Sequence, residues 1–246
     1  MVAAKPTIIF IPGAWNSPAG FDVVRQLLES KGFPTAAVAH PSAGAEPPNQ
    51  TLSDDVANLR ATLVHETGQG KDIVLVAHSY GGFVASDAAE GYGLIQRKAE
   101  NKKGGIVAIL YIAAFIGNKG MTITDLAGGD LPPFMHLDGS YCRLIGGAEI
   151  LYNDLSPEDQ EIRVSELVHT SSSVFGSPIS YEPWHTIPCS YLICERDNAL
   201  PLSAQEAIVN LAGKLKTFHC DSSHCPFLSM PERVVEVLES MSKEQC

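Results

Sequence analysis

The sequence predicts an α/β domain: a mostly parallel, doubly wound sheet of about six strands with helices on both sides. Three observations predict it. Short apolar runs rich in β-branched residues recur along the chain, and they are near-continuous rather than alternating, as strands buried on both faces are. Segments with helical apolar spacing separate them. At 246 residues and 45% hydrophobic content, the chain can bury one sizeable core, within the range where such sheets form a single domain.

In chain order, the first strand is expected over Thr7–Ile11, followed by an amphipathic helix in "FDVVRQLLESKG" that ends on the Lys31-Gly32 stop signal. A second strand is expected over Thr35–Ala39, a helix over "LSDDVANLRATLVHET", and a third strand over Ile73–Ala77. A fourth strand is expected over Ile106–Ala114, a fifth over Cys189–Cys194 and a sixth over Leu215–His219; the helices "AQEAIVNLAGK" and "PERVVEVLESMSK" follow the last two in turn. One interval breaks the alternation. Residues 116–185 hold no buried strand, but they do hold "GGDLPPFMHLDG", a helix with a capping signal in "SPEDQEIRVSELV", and "SSSVFGSPISYEPWHT". Seventy residues are too many for a plain loop, so a helical cap is expected over the carboxyl edge of a core formed by 1–115 and 186–246.

The stretch "IVLVAHSYGG" puts Ser79 between a buried strand and a helix that starts almost at once. So sharp a turn holds its tip residue in a strained backbone conformation with the side chain standing clear, and it tolerates only small neighbours two residues away. Ala77 and Gly81 are small, which makes the pattern a nucleophile elbow, G-x-S-x-G with alanine in the first position. His78, beside the serine, is expected to point into the fold and to pack or hydrogen-bond there.

A serine nucleophile needs a base, an acid to orient that base, and donors for the oxyanion. Ligands in such sheets bind beyond the carboxyl ends of the strands, and candidates stand at those ends. "ERDNALP" after the fifth strand carries Asp197, and "CDSSHCPFLSMPE" after the sixth carries His224, with Asp221 a rival for the acid. After the first strand, Pro12-Gly13 turns into Ala14-Trp15, so the backbone N–H groups of Ala14 and Tyr80 are expected to converge on one oxygen. Trp15, Phe134, Phe175 and Trp184 are candidate pocket walls.

Composition narrows the partners. A net charge of −11, with no basic cluster beyond "RKAENKK", argues against nucleic acid or an anionic membrane. No apolar run approaches the ~20 residues of a membrane span, and the N-terminal stretch has no signal-peptide pattern, so a cytoplasmic protein is expected. The six cysteines are scattered and are expected to be reduced; no ligand spacing suggests a metal. The expected partner is a small-molecule substrate, with a homodimer admitted.

"PGAW" after the first strand, then "AHSYGG", "YLICERDNALP" and "SSHCPFLSMPE", in this order, resemble the α/β-hydrolase superfamily. More narrowly, they resemble the compact group of plant methylesterases, hydroxynitrile lyases and fungal or bacterial esterase-like proteins. That family usually begins its first motif with His-Gly, where this chain has Pro12. The resemblance covers nearly the whole chain and implies the α/β-hydrolase fold. It further implies a Ser79, His224, Asp197 triad that cleaves a small, fairly hydrophobic ester, lactone, thioester or activated amide without a cofactor. The insertion is expected to set substrate choice. A hydroxynitrile lyase and a non-hydrolytic receptor are the alternatives on the same fold. Family lyases carry lysine after the triad histidine and threonine in the oxyanion turn, where this chain has Cys225 and Gly13.

Overall fold

Apolar side chains alternate between the two faces of each central strand, and this alternation builds two cores. Strand β1 (Thr7–Ile11) sends Ile8 and Phe10 to one face and Ile9 and Ile11 to the other, all fully buried. The computed structural model describes residues 4–213 and 215–243. Lys214, at the end of the segment expected to form the helix after the fifth strand, and Cys246, among the thiols expected to be reduced, lie outside them.

The remaining strands of the main sheet are β2 (Thr35–Ala37), β3 (Asp72–His78), β4 (Gly105–Ile112), β8 (Cys189–Cys194) and β9 (Lys216–Cys220). All six are parallel, in the order β2-β1-β3-β4-β8-β9. Helices α1 (Asp22–Ser30) and α10 (Pro231–Lys243) cover the Ile8/Phe10 face, while α2 (Leu52–Gly68), α3 (Gly81–Ala88) and α8 (Leu202–Ala212) cover the other. The short helices α4 (Leu94–Ala99) and α9 (Pro226–Ser229) lie in the connections. Leu52, Val56, Leu59 and Leu63 form the buried stripe of α2, their spacing of three and four keeping them on one side. Burying each such side chain stabilises the fold by roughly 1.5–3 kcal/mol.

The chain enters the sheet at β1, an interior strand. It runs from β1 out to the edge strand β2 and then crosses back to β3, so the connections leaving β1 and β3 diverge and open a crevice at their carboxyl ends. Pro12 follows β1 and Ser79 follows β3. Both ends of the candidate site therefore sit at the switch point.

The insertion between β4 and β8 differs from the helical cap expected from the sequence. It holds helices α5 (Ile123–Leu126), α6 (Gly147–Leu151) and α7 (Pro157–Ser165), but also an antiparallel sheet of β5 (Met135–Asp138), β6 (Tyr141–Leu144) and β7 (Thr170–Ser171). These strands are short and, apart from β7, partly exposed, so they lack the apolar run that marks a core strand. The available signal was Gly139-Ser140 between them, a two-residue hairpin loop; Gly139 adopts φ +58°. The helix in "SPEDQEIRVSELV" forms as expected, with the Ser156 hydroxyl accepting the Asp159 N–H. Among the described residues no helix is long and apolar enough to cross a membrane.

Candidate active site

Ser79 stands at φ +53°, a left-handed conformation that is costly for any residue with a Cβ. Its neighbours hold it there. The Ser79 N–H donates to the Ile112 carbonyl at 3.2 Å, and the Phe115 N–H donates to the Ser79 carbonyl at 3.0 Å, tying the elbow to the end of β4. A Cβ on Gly81 would lie 2.4 Å from the Pro12 oxygen and 2.7 Å from the Ile11 oxygen, and one on Gly82 would lie 2.2 Å from the Phe115 oxygen. The two glycines let α3 start in the gap between the ends of β1 and β4. Gly81→Ala is expected to lower stability by roughly 1–3 kcal/mol, since backbone rather than a mobile side chain must give way. Urea unfolding measures this, and an unchanged midpoint would show that the elbow can open.

His224 and Asp197 meet as expected. His224 Nδ1 donates to Asp197 Oδ2 at 2.7 Å, and both side chains are buried. In the neutral ring, Nε2 then carries the lone pair. The other oxygen of Asp197 accepts the N–H groups of Ala199 and Leu200 at 2.8 and 2.9 Å, so the carboxylate also shapes its own loop. Asp221 is elsewhere, largely exposed and paired with Arg196 at 2.8 Å. The sequence reading missed Gln205. It is fully buried on α8, its Oε1 accepts the Cys194 N–H, and its Nε2 donates to the Cys194 and Leu200 carbonyls. No motif marks it, because only the packing of α8 brings it under the Asp197 loop.

His78 packs as expected, wholly buried with its ring 4.5 Å from that of His224 and 4.9 Å from that of Phe227. Its Nε2 donates to the His224 carbonyl at 2.9 Å. Burial, and after it the neighbouring His224, holds its pKa well below the ordinary value, so it is a neutral brace rather than a base. Two residues of the insertion also hold the loops that carry Asp197 and His224: Asn153 donates to the Arg196 carbonyl at 3.1 Å, and Asp154 accepts the Ser223 N–H at 2.9 Å.

The turn through Gly13 and Ala14 lies directly against the elbow. A Cβ on Gly13 would come within 2.9 Å of Ser79 Cβ and 3.0 Å of His78 Nδ1. Neither the Ala14 N–H nor the Tyr80 N–H has a hydrogen-bond acceptor among the described residues. Such orphan donors, both beside a serine, are what an incoming oxygen would use. The Tyr80 phenol turns away and donates to the buried Asp55 carboxylate at 2.5 Å. Burial first, and Asp55 second, pushes its pKa well up.

Ser79 and His224 open on one pocket of about 440 Å³, whose walls include Ala14, Trp15, Tyr80, Phe134 and Phe175. A separate cavity of about 370 Å³ has neither Ser79 nor His224 in its walls. A model of the alpha/beta hydrolase family matches residues 8–237. The chain belongs to the alpha/beta hydrolase family. Among curated proteins it is 29% identical over 246 residues to the alpha/beta hydrolase nvfD of Aspergillus novofumigatus, covering 98% of each chain. It is 27% identical to a pyrethroid hydrolase of Sphingobium wenxiniae, over 94% of this chain and 85% of the relative. It is 26% identical to methylesterase 7 of Arabidopsis thaliana, over 87% and 88%. Among solved structures, a pyrethroid hydrolase from Sphingobium faniae superposes with TM-score 0.78 at 23% identity, over 97% of this chain and 98% of that one. At that identity the likeness shows the fold.

In this alpha/beta hydrolase, three of the four aromatic residues expected in the pocket wall are there. Trp184 is not. It is half-buried in a 3-10 turn, Pro183–His185, that leads into β8. Because β8 runs parallel to the other strands, the residues just before it must lie at the amino edge of the sheet, and the pocket is at the carboxyl edge. The sequence reading missed Phe115, which follows β4, and Ala199 and Leu200 of the Asp197 loop. Their places after strand ends were the available signal.

Proposed function

We propose that this alpha/beta hydrolase is a serine esterase for small, neutral, largely apolar substrates, with lactones, thioesters and activated amides within its reach. The observation that carries this reading is Ser79 at a left-handed turn beside His224, whose Nδ1 is held by Asp197 at 2.7 Å. His224 Nε2 takes the Ser79 proton as Oγ attacks the carbonyl, and the Ala14 and Tyr80 N–H groups receive the oxyanion. Collapse expels the alcohol with the proton carried by His224. Water then repeats the cycle on the acyl-serine and releases the acid.

The substrate class follows from the walls. Among the described residues no Lys, Arg, Asp or Glu lines the pocket, so a carboxylate or ammonium on the substrate would be desolvated without a partner. A net charge of −11 adds repulsion against anions. Similarity to a pyrethroid hydrolase, a hydrolase by name, and to a methylesterase, ester-cleaving by name, supports the same class.

Two positions count against a cyanohydrin lyase. Cys225, after His224, is buried with its thiol pKa pushed well up by burial and then by Asp197, so it offers no positive charge to a departing cyanide. At Gly13 a threonine Cβ would meet Ser79 Cβ at 2.9 Å. The deciding measurement pairs hydrolysis of short aryl esters, lactones and thioesters with cyanide release from mandelonitrile, each in the wild type and in Ser79→Ala. We expect Ser79-dependent ester cleavage, with an aryl butyrate preferred over the matching hemisuccinate by about 100-fold or more. Ser79-dependent cyanide release without Ser79-dependent cleavage of any ester, lactone or thioester would overturn the reading.

A further inference from the structure

We propose that Thr170, in the third strand of the insertion, is a positioning residue for the oxyanion hole, acting through the backbone of Trp15; this rests on the esterase reading above. Trp15 follows the Ala14 donor directly and takes φ +66°, a conformation that a residue with a Cβ adopts only where its surroundings hold it.

Four contacts that hold it come from the insertion. The Trp15 N–H donates to Thr170 Oγ1 at 2.8 Å, and the Trp15 carbonyl accepts the Val168 N–H at 3.0 Å. The indole Nε1–H donates to the Cys142 carbonyl at 3.1 Å, and the ring stacks on Phe175 with centroids 5.9 Å apart. The Ala14 carbonyl accepts from the Asn16 side chain at 2.8 Å, and the Ala14 N–H faces no acceptor among the described residues. The direction of the Ala14 N–H is therefore set by a turn whose far side is clamped to the insertion.

Thr170 suits that task. Its side chain is fully buried, and its backbone pairs with Cys142 on one side and Ala43 on the other, so its hydroxyl oxygen has a fixed place. The next residue, Ser171, donates its N–H to the Ser42 carbonyl at 2.9 Å, and Ser42 in turn donates its N–H and hydroxyl to Asp55, the carboxylate that holds the Tyr80 phenol. The same strand thus reaches the residues of both oxyanion donors. Without the Thr170 oxygen, the buried Trp15 N–H has no acceptor, and the strained turn loses the contact nearest to Ala14. The insertion then does more than select substrates: it holds part of the catalytic apparatus in register.

The test uses the full chain with Thr170→Val, which keeps the shape and removes the acceptor, and Thr170→Ser, which keeps the acceptor. Three quantities are read: kcat and KM on a neutral aryl butyrate, the affinity for a trifluoromethyl ketone that forms a tetrahedral adduct on the serine, and the thermal midpoint. Thr170→Val is expected to lower kcat roughly 10- to 100-fold at nearly unchanged KM and to weaken the ketone by a similar factor, with Thr170→Ser restoring both. A folded Thr170→Val with wild-type kcat and ketone affinity would overturn the proposal, as would a loss confined to KM or one that serine fails to rescue. If the valine variant does not fold, Thr170→Ala compared with Thr170→Ser is read in the same way. Turnover that survives Ser79→Ala at the wild-type rate would overturn the esterase reading and this proposal with it; Ser79-dependent turnover indifferent to Thr170 overturns this proposal alone.

Discussion

Ser79→Ala is expected to abolish ester turnover, with kcat falling about 10⁶-fold toward the level left by binding and the oxyanion donors alone. The loss will not come from unfolding. Alanine and serine have nearly the same volume and meet the same penalty at φ +53°, so the thermal midpoint should move little. A fluorophosphonate should add one adduct to the wild type, on the peptide containing "AHSYGG", and none to the variant at a comparable rate. Ser79→Gly separates the two roles of the position further, because glycine removes the nucleophile together with the left-handed penalty of about 1 kcal/mol. It should be as inactive as the alanine variant and no less stable. Labelling of Ser79→Ala at the wild-type rate would remove Ser79 from the mechanism.

The second large effect is expected at the acid. Asp197→Asn should lower kcat about 10⁴-fold while leaving the loop folded. The asparagine oxygen can still accept the N–H groups of Ala199 and Leu200, which bind Oδ1 in the native chain. Its NH₂ would then face His224 Nδ1, which must become the acceptor, moving the ring proton to Nε2 and leaving no base for Ser79. Asp221→Asn should leave kcat nearly unchanged, since that carboxylate is exposed and engaged with Arg196 rather than with the imidazole. A crippled Asp221→Asn beside a nearly active Asp197→Asn would reverse the assignment.

The elbow was legible because its determinants are local. Buried strand, serine, small neighbours and helix follow one another within about fifteen residues, and each excludes most other conformations of that stretch. Asp197 and His224 were legible one step less directly, through their places after strands that the apolar runs had already marked. The β5–β6 hairpin was not read, although Gly139-Ser140 signalled it, because half-exposed strands carry no continuous apolar run. Trp184 was misplaced for a different reason: aromatic character says that a side chain will be partly buried, but not at which edge of the sheet.

Order along the chain and local turn chemistry were enough to determine the family, the parallel sheet, the elbow and the three residues proposed as its triad. Only the tertiary structure decided which groups hold those residues in place. Gln205 reaches the acid loop from the helix after it, and Thr170 reaches the Trp15 N–H across 155 positions of sequence. Both are ordinary polar residues with no motif around them. A hydrogen bond from a side chain to a distant backbone group leaves no periodic trace in the sequence, because its geometry exists only once sheet and insertion have packed.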